Sequence, residues 1–205
     1  MPNYDKLTAL AKSNNGIVKT KQVVDAGIAK DYLKHAVQDG VLDKVASGVY
    51  TLKGSIVDDF YLLQLTRKKI IFSHTTAAYL NHLTTRDPLV ISFTVPNDYK
   101  VSDLANAGHK AYFCSQENYR LGIVEGRTMF GNPIKIYDAE RTLCDLFSAR
   151  FVGDPYIALE SLKSYLISKE KDTFKLMKYA KQLGVEKTLK EKIEVMSIWK
   201  TLDNY

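Results

Sequence analysis

Between residues 4 and 54 the apolar pattern spells out three short helices followed by a two-stranded hairpin. Tyr4, Leu7, Leu10 and Ala11 recur at the three- and four-residue spacing of one helix face, and Asn14-Asn15-Gly16 supplies a stop. A second helix starts at Thr20, whose hydroxyl can cap the free amides of Lys21-Gln22-Val23-Val24, and it ends at Gly27. Ile28, Leu33 and Val37 give the third segment an apolar face, which leaves Lys30, Asp31, Lys34, His35 and Gln38 pointing away. Val41-Leu42, Lys44-Val45 and Val49-Tyr50-Thr51-Leu52 are β-prone runs around an Ala46-Ser47-Gly48 turn. This order is that of a winged helix-turn-helix, and the pattern predicts such a domain over residues 1–54.

A helix fits the major groove of duplex DNA, where base edges are read, while basic and amide groups around it hold phosphates. Lys30, Tyr32, Lys34 and His35 on the third helix are the candidate groove contacts. Lys19, Thr20 and Lys21 open the preceding helix, where free amides and the positive dipole end favour a phosphate. Lys44 and Ser47 can reach the flanking backbone from the wing. The same fold also serves as a protein-docking module, so both readings are carried forward. Eight lysines against five aspartates leave a surplus of only three over these residues, so firm DNA binding calls for several copies on one site.

The chain has 205 residues and 45% hydrophobic content, enough for one or two domains with real cores. A formal charge of +6 favours an anionic partner. Met1-Pro2-Asn3-Tyr4-Asp5 carries no basic stretch followed by an apolar run, and no segment approaches the roughly 20 apolar residues that span a bilayer, so a cytoplasmic protein without membrane contact is expected. Cys114 and Cys144 lack partners at metal-ligand spacing and read as buried thiols.

The pattern changes near Gly54-Ser55, which places a larger mixed domain over residues 55–205 and makes the whole an α+β protein. A helix is expected over Ile56 to Thr66, a buried strand at Ile70-Ile71-Phe72, and a helix over 77–83 capped by Ser73-His74-Thr75-Thr76. Leu89 to Val95 alternates as a strand that ends at Pro96. Further strands are predicted at Lys110 to Cys114, Ile123 to Met129 and Pro133 to Tyr137. A helix then runs from Asp138 through Arg150, and helices fill the remainder from Pro155.

The blocks Phe72-Ser73-His74-Thr75-Thr76-Ala77-Ala78-Tyr79-Leu80, Leu83-Thr84, Val90-Ile91-Ser92-Phe93-Thr94-Val95-Pro96 and Ile136-Tyr137-Asp138-Ala139-Glu140-Arg141-Thr142-Leu143-Cys144-Asp145-Leu146 resemble the antitoxins of AbiE-type abortive-infection systems, in which a winged helix-turn-helix precedes such blocks. The resemblance covers roughly residues 4–150, and its best marker is Glu140-Arg141-Thr142-Leu143 followed by Asp145. It implies a protein of two roles. The first domain would repress its own operon through inverted repeats in the promoter. The larger domain would counteract a nucleotidyltransferase-like toxin as a type IV antitoxin, without a stable complex, in phage defence.

Read from the residues alone, Arg141 and Asp145 form an i,i+4 pair, which on an exposed helix is worth only about 0.3 to 0.5 kcal/mol. Asp138 is a natural helix cap. The sharper reading places Arg141, with Glu140 and Asp145, on a charged surface used in neutralisation. Leu143, Leu146 and Phe147 pull instead toward a buried structural network. His74 reads as a helix start rather than a base, since spacing puts no second acid, base or nucleophile beside it. Nine lysines between Lys163 and Lys192 stand against Glu170, Asp172, Glu186 and Glu191, a solvated face or a second anionic contact, with Tyr165 and Tyr179 among them. A metal-dependent nuclease would have to use Asp87, Asp98 and Lys100, in a poor match to such sites. Gly122, Gly126 and Gly131 lack the Gly-Lys-Ser/Thr ending of a phosphate loop, so neither a cofactor, a metal nor an enzymatic activity is expected.

Overall fold

The apolar pattern of the first residues becomes the order α1 (Pro2–Lys12), β1 (Ile17–Lys19), α2 (Thr20–Asp25), α3 (Asp31–Gln38), β2 (Leu42–Ala46) and β3 (Val49–Leu52). The protein is described by a computed structural model over residues 2–202, with side chains over residues 4–196. β3 lies between β1 and β2 and runs antiparallel to both. β1 is missing from the sequence expectation because three residues are too few to show alternation. Leu7, Ala11, Val18, Val23, Ile28, Leu33, Ala36 and Leu42 close one core beneath the helices. Gly48 at φ 69° makes the tight β2–β3 turn, a backbone state that a side chain would strain.

This unit does not stop at residue 54. It comprises Met1–Lys68 together with Thr128–Asn132. Asp58 accounts for both additions, being 4% exposed and fully hydrogen-bonded. Its Oδ1 accepts the Tyr61 amide at 3.1 Å, which starts α4 (Asp59–Thr66) later than the expected Ile56. Its Oδ2 accepts the Thr128 hydroxyl at 2.6 Å and the Asn132 side-chain amide at 2.7 Å. Asn15 closes the ring, donating to Asn132 Oδ1 at 2.8 Å and to the Phe130 carbonyl at 3.2 Å.

The second unit comprises Lys69–Arg127 and Pro133–Tyr205. Its strands are β4 (Ile71–Phe72), β5 (Ser92–Pro96), β6 (Lys110–Cys114), β7 (Ile123–Arg127) and β8 (Pro133–Tyr137), in the order β6-β5-β4-β8-β7. The β4–β5 and β7–β8 pairs are antiparallel, and β4–β8 and β5–β6 are parallel. Helix α5 (His74–Leu80) follows β4, and the short helices α6 (Ser102–Asn106) and α7 (Gln116–Arg120) flank β6. After β8 come α8 (Ala139–Leu146), α9 (Pro155–Ile167), α10 (Thr173–Leu183) and α11 (Glu186–Leu202). Leu143, Leu146, Leu162, Tyr165, Leu176 and Leu189 of these helices share one core with Ala78 and Leu83.

The strand expected from Leu89 begins at Ser92, leaving Leu89 and Val90 exposed, and it is buried on both faces. Its polar residues survive burial because the segment before α5 answers them. Ser92 Oγ donates to the Ser73 carbonyl at 2.7 Å, Thr94 Oγ1 donates to Ser73 Oγ at 2.9 Å, and the Ser92 amide donates to Thr76 Oγ1 at 2.8 Å. The Ser-His-Thr-Thr motif therefore makes a sheet contact as well as opening a helix.

Candidate nucleic-acid interface

The outward face of α3 is open. Lys30, Asp31, Lys34, His35 and Gln38 are exposed while Leu33 and Ala36 are buried, as the three-and-four spacing requires. Tyr32 is 39% exposed on the same helix. Lys44 and Ser47 are exposed on β2 and at its turn, and Lys21 is exposed on α2. Seven of the nine candidate contacts, Lys21, Lys30, Tyr32, Lys34, His35, Lys44 and Ser47, are therefore exposed.

The start of α2 departs from expectation. The Thr20 hydroxyl does not cap the helix; it points to the Gly48 carbonyl at 3.4 Å, tying α2 to the hairpin turn. The Thr20 amide also donates to Gly48, at 2.9 Å, and the Lys19 amide is taken by Gln22 Oε1 at 2.9 Å. Lys19 is half-buried with its ammonium over the Tyr61 ring at 5.7 Å. Lys19 and Thr20 thus shape this unit, and their amides are not open to a phosphate.

In the second unit Glu140, Arg141 and Asp145 are not a surface. They are 5%, 3% and 7% exposed on α8, a helix buried from Glu140 to Leu146. Asp138 caps that helix by accepting the Arg141 amide at 2.8 Å. Arg141 Nε donates to Asp145 Oδ1 at 2.9 Å, and Nη1 donates to the carbonyls of Asn118 and Leu121. The guanidinium lies over the Tyr137 ring at 4.2 Å. Gly122 allows this approach, since a Cβ there would meet Arg141 Cβ at 2.7 Å. Glu140 accepts the Tyr165 hydroxyl at 3.0 Å and shares Lys175 with Asp138, each ion pair at 3.0 Å. Spacing gave the helix and its pairing; it carried no signal for the carbonyls and rings that close around Arg141.

Tyr165 is buried, so it offers no ring for stacking, whereas all nine lysines of the carboxyl-terminal run except Lys175 are exposed. Cys114 and Cys144 are free thiols, Cys144 buried and Cys114 half-buried. Among the described residues no group of three or more His, Cys, Asp and Glu could hold a metal ion, and Asp87 and Asp98 are plain exposed loop residues. Among the same residues no helix is long and apolar enough to cross a membrane.

Residues 5–53 match the family model described as transcriptional regulator, AbiEi antitoxin. The resemblance to AbiEi antitoxins is thereby shown over residues 5–53, and the blocks from Phe72 to Leu146 lie outside the match. The matched segment contains α2, α3 and the β2–β3 hairpin, and so every candidate DNA contact. Among solved structures the chain is similar to the crystal structure of the RV2827C protein from Mycobacterium tuberculosis, with a TM-score of 0.60 and 14% identity over 88% of this chain and 72% of that chain. At that identity the likeness concerns the fold, a mixed α+β architecture. No curated relative matches the sequence.

Proposed function

We propose that this protein is an AbiE-type antitoxin that also represses its own promoter, acting in the cytoplasm. The observation that carries the reading is that the segment matching an AbiEi regulator presents Lys30, Lys34 and His35 on the open face of a helix. In this reading residues 1–68 form a winged helix-turn-helix. α3 enters the major groove, Lys34 and His35 reach base edges, and Lys30 meets a phosphate at the groove wall. The β2–β3 turn is the wing, with Lys44 and Ser47 along the adjacent backbone. Several copies occupy inverted repeats, because the positive surplus of one copy is small.

The second unit counteracts a nucleotidyltransferase-like toxin without a stable complex. Arg141, Asp145 and Glu140 serve that role by holding α8 in place rather than by facing a partner. The exposed lysines of α9 to α11 are the charged surface that this unit offers.

A paired assay tests both roles. A reporter under the native promoter reads repression, and growth during toxin expression reads rescue by the protein supplied from a foreign promoter. The double variant Lys30→Ala and Lys34→Ala should release the reporter and keep rescue. Retained repression would favour a protein-docking winged helix, and absence of rescue by the wild-type chain would remove the antitoxin role.

A further inference from the structure

Within the second unit a cavity of about 310 Å³ opens beside α8, at the small end of ligand sites. Its wall holds a donor without an acceptor. His74 is 4% exposed, and its left-handed backbone (φ 51°) and a stack on Tyr112, 3.4 Å between ring centroids, fix its ring on that wall. Thr94 Oγ1 donates to Ser73 Oγ at 2.9 Å, so the Ser73 proton goes to His74 Nδ1, also at 2.9 Å, and the imidazole carries its own proton on Nε2. That N–H meets no acceptor among the described residues. It is not sealed either, since the buried side-chain atoms left without partners among those residues are Asp145 Oδ2 and Ser161 Oγ. A buried donor in this state asks for an acceptor inside the cavity.

The rest of the lining says what that acceptor belongs to. Ser148 is half-buried on the same wall, and its hydroxyl has no partner among the described residues. Asn118 gives its Oδ1 to Gln182 Nε2 at 3.3 Å and keeps its amide hydrogens. At the rim Arg150 Nη1 donates to the Phe113 carbonyl at 3.3 Å, which leaves the rest of its guanidinium fork open. The Arg141–Asp145 pair, at 2.9 Å, cancels its own charge. Burial keeps Tyr112 and Cys114 protonated, and burial with the positive charges of Arg141 and Lys110 holds the His74 imidazole neutral down to about pH 3. Donors from α5, α7 and the segment after α8 thus line one cavity whose net charge is that of Arg150. Such a set matches the oxygens of a phosphate group, which accept more hydrogen bonds than a carboxylate does. Ala149, Leu183 and Val185 complete the wall and suit a short aliphatic body beside the anion.

We propose that this cavity binds a small phosphate monoester, with the phosphate oxygens on His74 Nε2–H, the Ser148 hydroxyl and the Arg150 guanidinium, and a short carbon chain against Val185. Inorganic phosphate offers the same charged group without the chain. The site is independent of the DNA-binding reading, since all of its residues belong to the second unit.

Calorimetric titration of the full chain with glycerol 3-phosphate, ribose 5-phosphate, inorganic phosphate and glycerate tests this. At least one phosphomonoester should bind with a Kd below about 1 mM, and glycerate, with a carboxylate in place of the phosphate, at least about tenfold more weakly. Inorganic phosphate binding as tightly as the esters would assign the site to the free ion and support the phosphate contacts equally. Arg150→Ala, at an exposed position, should weaken binding at least about tenfold and Ser148→Ala at least about threefold, both with an unchanged melting temperature. Lys192→Ala removes the same charge away from this lining and should leave binding unchanged. In NMR spectra the His74 Nε2–H resonance should shift on saturation with ligand. No binding by any phosphate probe, a preference for glycerate, equal losses in Arg150→Ala and Lys192→Ala, or a His74 resonance that stays in place would overturn the proposal.

Discussion

Arg141 is the residue whose meaning changes most between sequence and structure. An exposed pair with Asp145 would be nearly dispensable, but the guanidinium is 3% exposed and held by a carboxylate, two carbonyls and a ring. Arg141→Ala leaves a buried carboxylate and open carbonyls behind, so it should cost about 3 to 5 kcal/mol in denaturant unfolding. Arg141→Lys should recover little of that, because an ammonium cannot reach three acceptors in one plane. A loss under about 1 kcal/mol would return Arg141 to the surface. Nearby, His74 and Asp145 give opposite pH dependences. Burial, with the positive charges of Arg141 and Lys110, holds the His74 imidazole at about 3. The unfolded chain therefore takes up a proton below its ordinary 6.5 that the folded protein refuses until about 3, and stability is lost as pH falls through that window. Burial raises Asp145 to about 6 from 3.8, so its contribution is present below 3.8 and is lost as pH rises through 6. Between those values the two offset. In melts from pH 7 to 4, His74→Asn, which tolerates the residue's φ of 51°, should lower the melting temperature overall yet make it rise toward acid relative to wild type, because only the Asp145 contribution is left. An acid limb parallel to wild type would refute the assignment to His74.

Among the elements, α3 was legible because Leu33 and Ala36 bury one face while its charges stay out, and β8 because Pro133 and Asp138 punctuate it. The β1 strand, α6 and α7 were not, since three to five residues hold less than two turns or two alternations. The unit boundary was hidden for another reason. Asp58 and Asn132 are 74 positions apart, and local pattern carries no record of a bond across that span. This bond decides which fragment can fold. Residues 1–54 lack α4 and the Thr128–Asn132 segment, and so small a chain buries only about 60% of its surface. The fragment should show no cooperative melt. In the full chain Asp58→Ala removes a helix cap and two charge-assisted hydrogen bonds, and should destabilise the first unit by at least about 2 kcal/mol. Hydrogen exchange over residues 4–66 reads that loss directly. An unchanged exchange pattern would mean that the segment is an ornament of this unit.

In the proposed reading the whole molecule carries a DNA-reading unit and a second unit whose buried charges hold its helices. The segment that matches a transcriptional-regulator family model agrees with a regulatory protein. In that reading α3 is the part that meets DNA. The most direct measurement is fluorescence anisotropy of a duplex bearing the inverted repeats upstream of the gene, titrated with wild type and with Lys30→Ala plus Lys34→Ala over 50 to 200 mM salt. Wild-type affinity should fall with salt at a log-log slope of about −0.9 per phosphate contact. The double variant, with an unchanged melting temperature, should bind at least tenfold more weakly and with a shallower slope. Equal affinity and equal slope for the two proteins would contradict the account.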